Sequence, residues 1–141
     1  MTPYLKPLER EHLEFVRALR NANRQWFFNT KPVTEEQQGE WYVKYLKSTM
    51  LFWVIYYDDR PVGTISQTPN PRLDMSFYEI GNLMLLPSYQ GKGIMQKAIQ
   101  SIMKPNQFYT AHVKSNNTAS LRVFKNAGFW RVPKKRSKRA R

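Results

Sequence analysis

The sequence contains no cysteine, only two histidines and no long hydrophobic run, and each shortage excludes a class of chemistry. Without cysteine among the 141 residues, disulfides, thiolate catalysis and cysteine-ligated zinc are excluded. His12 and His112 stand far apart in the sequence, so we expect no metal site. The longest apolar run, residues 51–57, is far shorter than the ~20 residues of a membrane-spanning helix, and the N-terminus lacks a basic-then-apolar signal sequence. We therefore expect a soluble, cytoplasmic protein.

Acidic side chains are scarce in the second half of the chain. Residues 1–74 carry 10 basic and 9 acidic side chains, whereas residues 75–141 carry 13 basic side chains and Glu79 as their single acid. Six of these positive charges lie in residues 134–141, which have no apolar side chain larger than alanine. We expect residues 133–141 to form a disordered basic tail. The net charge of +13 predicts an anionic partner, namely a polyphosphate cofactor, a nucleotide-linked substrate or nucleic acid.

The remaining composition predicts one α/β domain over residues 1–132, because 41% of the residues are hydrophobic and 14% are aromatic. Apolar periodicity and turn residues predict the element order β-α-α-β-β-β-α-β-α. The predicted strands are residues 4–8, 51–57, 62–67, 75–86 and 108–113, with a short piece at 129–132. The predicted helices are residues 9–21, 34–47, 94–102 and 117–126. Pro3 and Pro7 place the first strand at a sheet edge.

A glycine-containing turn separates the fourth strand from the third helix. Gly91 and Gly93 flank Lys92 directly before the helix, and backbone N–H groups at a helix start are a ready site for phosphate oxygens. The spacing does not match a P-loop, and Gln96 stands where a dinucleotide-binding motif needs a third glycine. The alternative is a turn that only reverses the chain.

Three segments resemble the GNAT superfamily of acetyl-CoA-dependent N-acetyltransferases. One of them, residues 19–41, contains Leu-Arg-Asn at 19–21, Trp-Phe at 26–27 and Thr-Glu-Glu-Gln at 34–37 with Trp41, and looks like the N-terminal region of amino-sugar-nucleotide acetyltransferases. Residues 90–95 read Gln-Gly-Lys-Gly-Ile-Met and are similar to the family signature Gln/Arg-x-x-Gly-x-Gly/Ala, although Met95 departs at its last position. Residues 117–129 are similar to the Asn-x-x-Ser-x-Arg-Val-x-x-x-x-Gly-Phe block of the branch that includes ribosomal-protein and amino-sugar-nucleotide acetyltransferases. The resemblance covers residues 3–130 and implies a mixed, mostly antiparallel sheet flanked by helices.

The resemblance also implies acetyl-CoA as co-substrate and a set of residues that contact it. Backbone amides near Leu83 and Leu85 are expected to pair with the pantetheine arm and the thioester carbonyl. The pyrophosphate is expected to lie against Gln90, Gly91, Lys92, Gly93, Ile94 and Met95. The pantetheine or adenosine-phosphate end is expected to contact Asn117, Ser120 and Lys125. A plain helix N-cap would explain Asn117 equally well, and a position on the helix surface would explain Ser120.

Glu79 is the predicted catalytic base, because it aligns with the glutamate that has this role in several family members. In a regular strand Glu79 would share one face with Gly81, Leu83 and Leu85, along the groove for the thioester. The alternative is an ion pair between Glu79 and a nearby lysine or arginine. The fallback candidates are Tyr78, Asn82 and His112, although a histidine in a strand more often has a purely structural role.

The sequence departs from the family at two further places. Only residues 129–132 follow the last helix before the basic tail, so the C-terminal strand region is shortened, and the substrate groove is either open or completed by a second subunit in a homodimer. Phe124 stands where many relatives have a tyrosine that acts as general acid. We therefore expect water or solvation of the departing thiolate to replace that acid.

Taken together, these features predict acetyl transfer from acetyl-CoA to the primary amine of an anionic or nucleotide-linked acceptor. An amino-sugar nucleotide, a protein amine and an amine on nucleic acid or aminoacyl-tRNA all remain open, whereas the positive charge argues against a polyamine. Residues 26–28 are expected on the acceptor side, with core packing as the alternative for Trp26 and Trp41. A rival interpretation is a non-catalytic or DNA/RNA-modifying nucleic-acid-binding protein on the same scaffold, with the tail at 134–141 as its contact.

Overall fold

The computed structural model describes residues 1–70 and 77–132, in which five strands form one sheet in the order β1-β2-β3-β4-β5. The strands are β1 (Tyr4–Pro7), β2 (Leu51–Tyr57), β3 (Arg60–Pro69), β4 (Phe77–Leu85) and β5 (Phe108–Thr110). The helices are α1 (Leu13–Ala22), α2 (Glu35–Leu46), α3 (Ile94–Ile102) and α4 (Thr118–Asn126). The pairs from β1 to β4 are antiparallel, and β5 runs parallel to β4. The predicted fold class and element order are confirmed.

Several predicted boundaries change in the structure. The predicted strands at 62–67 and 108–113 become Arg60–Pro69 and Phe108–Thr110, and residues 129–132 form no strand. The connection between β2 and β3 consists of two residues, Asp58 and Asp59. Their φ angles are +53° and +57°. Two consecutive positive φ angles match the turn that suits the twist of a hairpin. The predicted start of the fourth strand at Met75 and the predicted basic tail lie outside the described residues.

Polar residues just before α1 and α2 determine where these helices begin. A capping box precedes α2, since Thr34 Oγ1 accepts from Gln37 N at 3.1 Å and Gln37 Oε1 accepts from Thr34 N at 3.0 Å. A 3-10 turn, Arg10–His12, precedes α1, so the predicted helix at 9–21 begins later than expected. Among the described residues no helix is long and apolar enough to cross a membrane.

Helices cover both faces of the sheet and create two hydrophobic clusters. The face of α1 and α2 buries Leu8, Val16, Tyr42, Phe52 and Val54. The face of α3 and α4 buries Ile55, Val62, Ile65, Ile80, Leu85, Ile94, Met95, Ala98, Ile99, Ile102 and Phe124. Neighbouring residues Val54 and Ile55 belong to different clusters because successive strand side chains point to opposite faces.

A β-bulge at Asn82 interrupts the regular alternation of β4. Ser66 of β3 pairs with Gly81, whereas Thr64, two positions away, pairs with Met84, so β4 has one extra residue over this stretch. Asn82 has a φ of +53°. Two side chains of β3 hold the bulge, since Thr64 Oγ1 donates to Asn82 O at 2.7 Å and Asn82 Nδ2 donates to Ser66 Oγ at 2.9 Å.

The bulge changes which β4 side chains share a face. Gly81 and Met84 oppose the β3 residues that pair with Phe52 and Val54, so they lie on the α1 and α2 face. Glu79 is two positions before Gly81 and lies on the same face. Leu83 and Leu85 instead pack against the cluster under α3 and α4. The prediction that Glu79 shares a face with Leu83 and Leu85 is therefore wrong, because the extra residue inverts the alternation.

Strands β4 and β5 separate after a short parallel contact. Their pairing runs from Phe77 with Phe108 to Glu79 with Thr110. Among the described residues, the rest of β4 has no strand partner on that side of the sheet. The separation leaves a gap between β5 and the part of β4 that contains the bulge.

Candidate active site

A cleft of about 270 Å³ opens where β4 and β5 separate. Its floor is residues 79–83 of β4, and its second wall is formed by residues 112–113 and the start of α4. The first wall comes from Met50 and from the segment 26–33, which we call the aromatic loop and which contributes Trp26, Phe27 and Phe28. The cleft therefore joins three parts of the chain that are distant in sequence.

Some of the predicted site residues meet in this cleft and others lie apart from it. Those that line it are Glu79, Leu83, Asn117 and Ser120. Those that do not are Leu85, Gln90, Gly91, Lys92, Gly93, Ile94, Met95 and Lys125. The second group lies at the end of β4, in the glycine turn, at the start of α3 and at the end of α4.

The glycine turn leaves open space for a ligand such as a pyrophosphate beside its backbone. Gly91 and Gly93 have φ angles of +78° and +76°, which glycine adopts without strain. A Cβ added at either position would meet no protein atom within 4 Å, so both face open space. Gly93 is the N-cap of the nine-residue α3 and supplies no side-chain cap, so no capping side chain competes with a ligand for the first helix amides. Ile94 and Met95 have buried side chains, which leaves their backbone for contact with a ligand.

The β4 backbone beyond Glu79 fits an extended ligand. An unpaired strand edge offers N–H and C=O groups to an extended chain such as pantetheine. Leu83 and Leu85 lie in this stretch, and their side chains face the α3 side. The residues present therefore fit both the extended arm and the phosphates of acetyl-CoA.

Glu79 on the cleft floor and His112 on the second wall lie close together. The Glu79 carboxylate lies 3.8 Å from His112 Nε2, and the two side chains are 42% and 66% exposed. In the described ranges no lysine or arginine forms an ion pair with Glu79, so the alternative lysine or arginine partner is not found there. His112 lies after the end of β5, outside the strand in which the sequence placed it. Thr110, which opposes Glu79, has a buried hydroxyl without a hydrogen-bond partner among the described residues.

Residues of α4 have mixed roles. Asn117 Oδ1 accepts from Ser120 N at 3.2 Å, so Asn117 is the N-cap of α4 and also lines the cleft. Phe124 is buried, and its ring packs edge-on against Phe129 at 5.0 Å between centroids. Lys125 is exposed in the last turn of the helix.

The two tryptophans in question differ in their surroundings. Trp41 packs against Tyr45 and Phe52, each at 5.5 Å between ring centroids, which confirms core packing. Trp26 is 37% exposed and lines the cleft, so core packing is wrong for this residue. Sequence reasoning missed Ser66 and Thr68, which line the cleft because β3 pairs them with Gly81 and Glu79. Their only local signal was alternation of small polar residues along β3.

The family model described as "Acetyltransferase (GNAT) family" matches residues 13–129. No curated protein sequence matched the chain. Solved structures similar to it include a domain from Methanocaldococcus jannaschii DSM 2661, with 22% identity, a TM-score of 0.82, and coverage of 96% of this chain and 92% of that chain. The spermidine N-acetyltransferase from Vibrio cholerae in complex with CoA and spermine is 22% identical, with a TM-score of 0.74 and coverage of 90% and 80%.

A further similar structure is RimL, a ribosomal L7/L12 α-N-protein acetyltransferase in complex with CoA. It is 18% identical, with a TM-score of 0.72 and coverage of 92% of this chain and 80% of that chain. The three structures share the fold, whereas the names of the last two give different acceptors. The family model spans most of the sequence. The chain therefore belongs to the GNAT acetyltransferase family and is an N-acetyltransferase that uses acetyl-CoA as co-substrate.

Proposed function

We propose that this acetyltransferase acetylates the primary amine of an anionic or nucleotide-linked acceptor in the cleft between β4 and β5. The observation that carries the proposal is the meeting of Glu79, His112 and the aromatic loop in one cleft, of which Glu79, His112 and the α4 wall belong to the strongly positive second half of the chain. Residues 77–132 contain seven basic side chains and Glu79 as their one acid. Such a field attracts an anion, and aromatic side chains suit the face of a sugar or base.

The two partners of the reaction are assigned to opposite faces of the sheet. The glycine turn, the start of α3 and the backbone near Leu83 and Leu85 hold acetyl-CoA on the α3 and α4 side. The acceptor lies on the side of Glu79 and the aromatic loop. The bulge at Asn82 supports this division, because it turns Glu79 and Leu83 to different faces at the point where the two substrates meet.

Glu79 is the proposed base. Acetyl-CoA supplies an acetyl thioester, and in the transfer a C–N bond forms, the C–S bond breaks and the thiol leaves. The amine loses one proton, and Glu79 receives it directly or through a water. His112 Nε2 lies 3.8 Å from the carboxylate, beyond direct hydrogen-bond distance, so we assign it a share of that proton only through a water. Phe124 cannot donate a proton to the departing thiolate, so solvent does so.

The relation to a sub-branch of the family is part of the proposal. The block at residues 117–129 supports a branch near the ribosomal-protein and amino-sugar-nucleotide enzymes. Its acceptors carry an amine on a larger, often charged molecule, which agrees with the charge of this chain. We place the catalytic domain at residues 1–132 and assign the basic tail at 133–141 to acceptor attraction.

Nucleic acid is the second candidate for the anionic acceptor, and the charge distribution favours it. Residues 134–141 add six positive charges to those of residues 77–132. Phosphate contacts would give binding that weakens steeply with salt. The same charges would attract a nucleotide-linked sugar, so the acceptor assay has to separate the two.

The proposal is tested with a panel of acceptors at saturating acetyl-CoA. The panel contains UDP-glucosamine, a peptide with a free N-terminus, bulk aminoacyl-tRNA and spermidine, and thiol release is followed for each. We expect turnover with UDP-glucosamine or with tRNA and little with spermidine. Turnover with spermidine alone contradicts an anionic acceptor. Size-exclusion chromatography of the same sample tests the predicted homodimer.

The role of Glu79 is tested by Glu79→Gln, which keeps the shape and removes the proton acceptor. We expect turnover to fall by ~10²–10⁴-fold with acetyl-CoA affinity unchanged. Glu40→Gln, which alters an exposed carboxylate on α2, is the matched control. If His112 acts with Glu79, the double variant with His112→Gln is no slower than Glu79→Gln alone. Normal turnover of Glu79→Gln would contradict the role of Glu79 as the base and assign it a structural role.

A further inference from the structure

The aromatic loop is bound to α1 by the side-chain amide of Asn21, which pairs with a residue of the loop as a backbone amide would. Asn21 Nδ2 donates to Val33 O at 3.0 Å, and Asn21 Oδ1 accepts from Val33 N at 2.8 Å. One side-chain amide thus forms the two-bond pairing that two strands would exchange. The pairing lies at the end of the loop, just before the cap of α2.

Two arginines of α1 add contacts to the same loop. Arg17 Nη1 donates to Val33 O at 3.4 Å, and Arg20 Nη2 donates to Asn29 O at 3.3 Å. The Arg20 guanidinium also lies 3.5 Å from the centroid of the Phe27 ring. Burial lowers the pKa of Arg20 below its usual value. In the described residues Arg20 has no acidic partner, so its contacts are directed to the loop.

The loop has few other means of keeping its shape. Residues 27–34 contain no helix or strand, and most of their side chains are exposed. Phe28 is 73% exposed although it lines the cleft. At the other end, Lys114 Nζ donates to Gln25 O at 2.9 Å and connects the loop region to the segment after β5. Trp26 and Phe27 are also held by backbone bonds to Asn23 O and Arg24 O in a 3-10 turn, so the contacts from α1 act mainly on the part of the loop after Phe27 and on the Phe27 ring.

We infer that Asn21 is a positioning residue for the acceptor: its pairing with Val33 holds the aromatic loop as the wall of the cleft that faces Glu79. The inference rests on the proposed location of the acceptor in the cleft. Asn21 does not line the cleft, so it acts through the loop. The glycine turn and α3 are not part of this arrangement, and acetyl-CoA binding is independent of it.

The test compares Asn21→Ala with Asn23→Ala. Asn23 is a matched control because its amide also lies at the end of α1, yet Nδ2 donates within the helix to Leu19 O at 2.8 Å. Amide hydrogen exchange of residues 26–33 is followed by mass spectrometry, and acetyl-CoA binding is followed by thermal shift. We expect Asn21→Ala to exchange about tenfold faster at Val33, with the acetyl-CoA shift retained.

Kinetics with UDP-glucosamine as acceptor provide the second readout. For Asn21→Ala we expect its KM to rise about tenfold while the KM for acetyl-CoA stays the same, since only one wall is displaced. Arg20→Met, which removes the contacts to Asn29 and Phe27, should act in the same direction. This second variant keeps Asn21 in place, so the test does not depend on one substitution.

Two results overturn the inference. One is unchanged exchange at Val33 in Asn21→Ala, and the other is an equal loss of acetyl-CoA binding, which would indicate general loosening. If the wild type does not acetylate UDP-glucosamine, the result contradicts this compound as acceptor. The role of Asn21 is then decided by exchange together with the acetyl-CoA shift, where faster exchange with an intact shift supports it.

Discussion

Replacement of Gly93 by aspartate separates cofactor binding from stability. Gly93 has a φ of +76°, and a Cβ added there would have no atom within 4 Å. The aspartate side chain therefore has no steric cost within the protein. Its cost is the strain of a left-handed backbone, about 1–2 kcal/mol. The new carboxylate stands at the N-terminus of α3, where the proposed pyrophosphate carries negative charge of its own.

The size of the effect follows from linkage. In the wild type, acetyl-CoA at 100 times its Kd adds about 2.7 kcal/mol of stability. For a domain of this size 1 kcal/mol corresponds to roughly 3–5 °C, so we expect a shift in Tm of about 10 °C. Gly93→Asp should lower the Tm of the free protein by about 4–8 °C through strain. It should also abolish the shift in Tm that acetyl-CoA causes, because the aspartate carboxylate repels the negatively charged pyrophosphate.

The assay is a thermal melt with and without millimolar acetyl-CoA. Gly128→Asp is the control, since Gly128 also has a positive φ, +104°, with no atom within 4 Å of an added Cβ, and lies after α4. The control should lose comparable stability and keep the acetyl-CoA shift. A normal shift in Gly93→Asp, or no shift in the wild type, refutes the assignment of the glycine turn to the pyrophosphate.

Three further expectations concern stability and charge. Gly63→Ala should lower the free energy of unfolding by about 2 kcal/mol in denaturant melts, because its Cβ would lie against the Met84 carbonyl oxygen. Gly39→Ala, on an exposed helix position, should raise it by about 0.5–1 kcal/mol. Equal effects of the two substitutions contradict the close approach of β3 and β4. Thr34→Ala should cost about 1 kcal/mol through loss of the cap on α2, and an unchanged melt rules that out. Removal of residues 134–141 should leave the Tm within about 2 °C. It should also reduce the salt slope of tRNA binding by about one unit for each phosphate that the tail neutralises, and an identical slope excludes the tail from binding.

Local signals in the sequence were sufficient for most of the elements and for the position of the glycine turn. The capping box at Thr34, the glycine turn and the N-cap at Asn117 are each determined by neighbouring residues, because helix ends and turns depend on contacts within three or four positions. The order of strands and helices follows from periodicity for the same reason. The family of the chain was also visible in short blocks, since backbone contacts to phosphate require glycines at set spacing.

The arrangement of the cleft was decided by tertiary structure. The bulge at Asn82 depends on Thr64 and Ser66, which lie 16 to 18 positions away, and strand pairing is a long-range choice that local patterns do not contain. That single extra residue turned Glu79 to the face opposite Leu83. The approach of Trp26 and His112 to the same cleft likewise requires the folded sheet between them. The sequence alone determined which elements form and where the glycine turn lies, and only the packing of distant strands decided which side chains face one another.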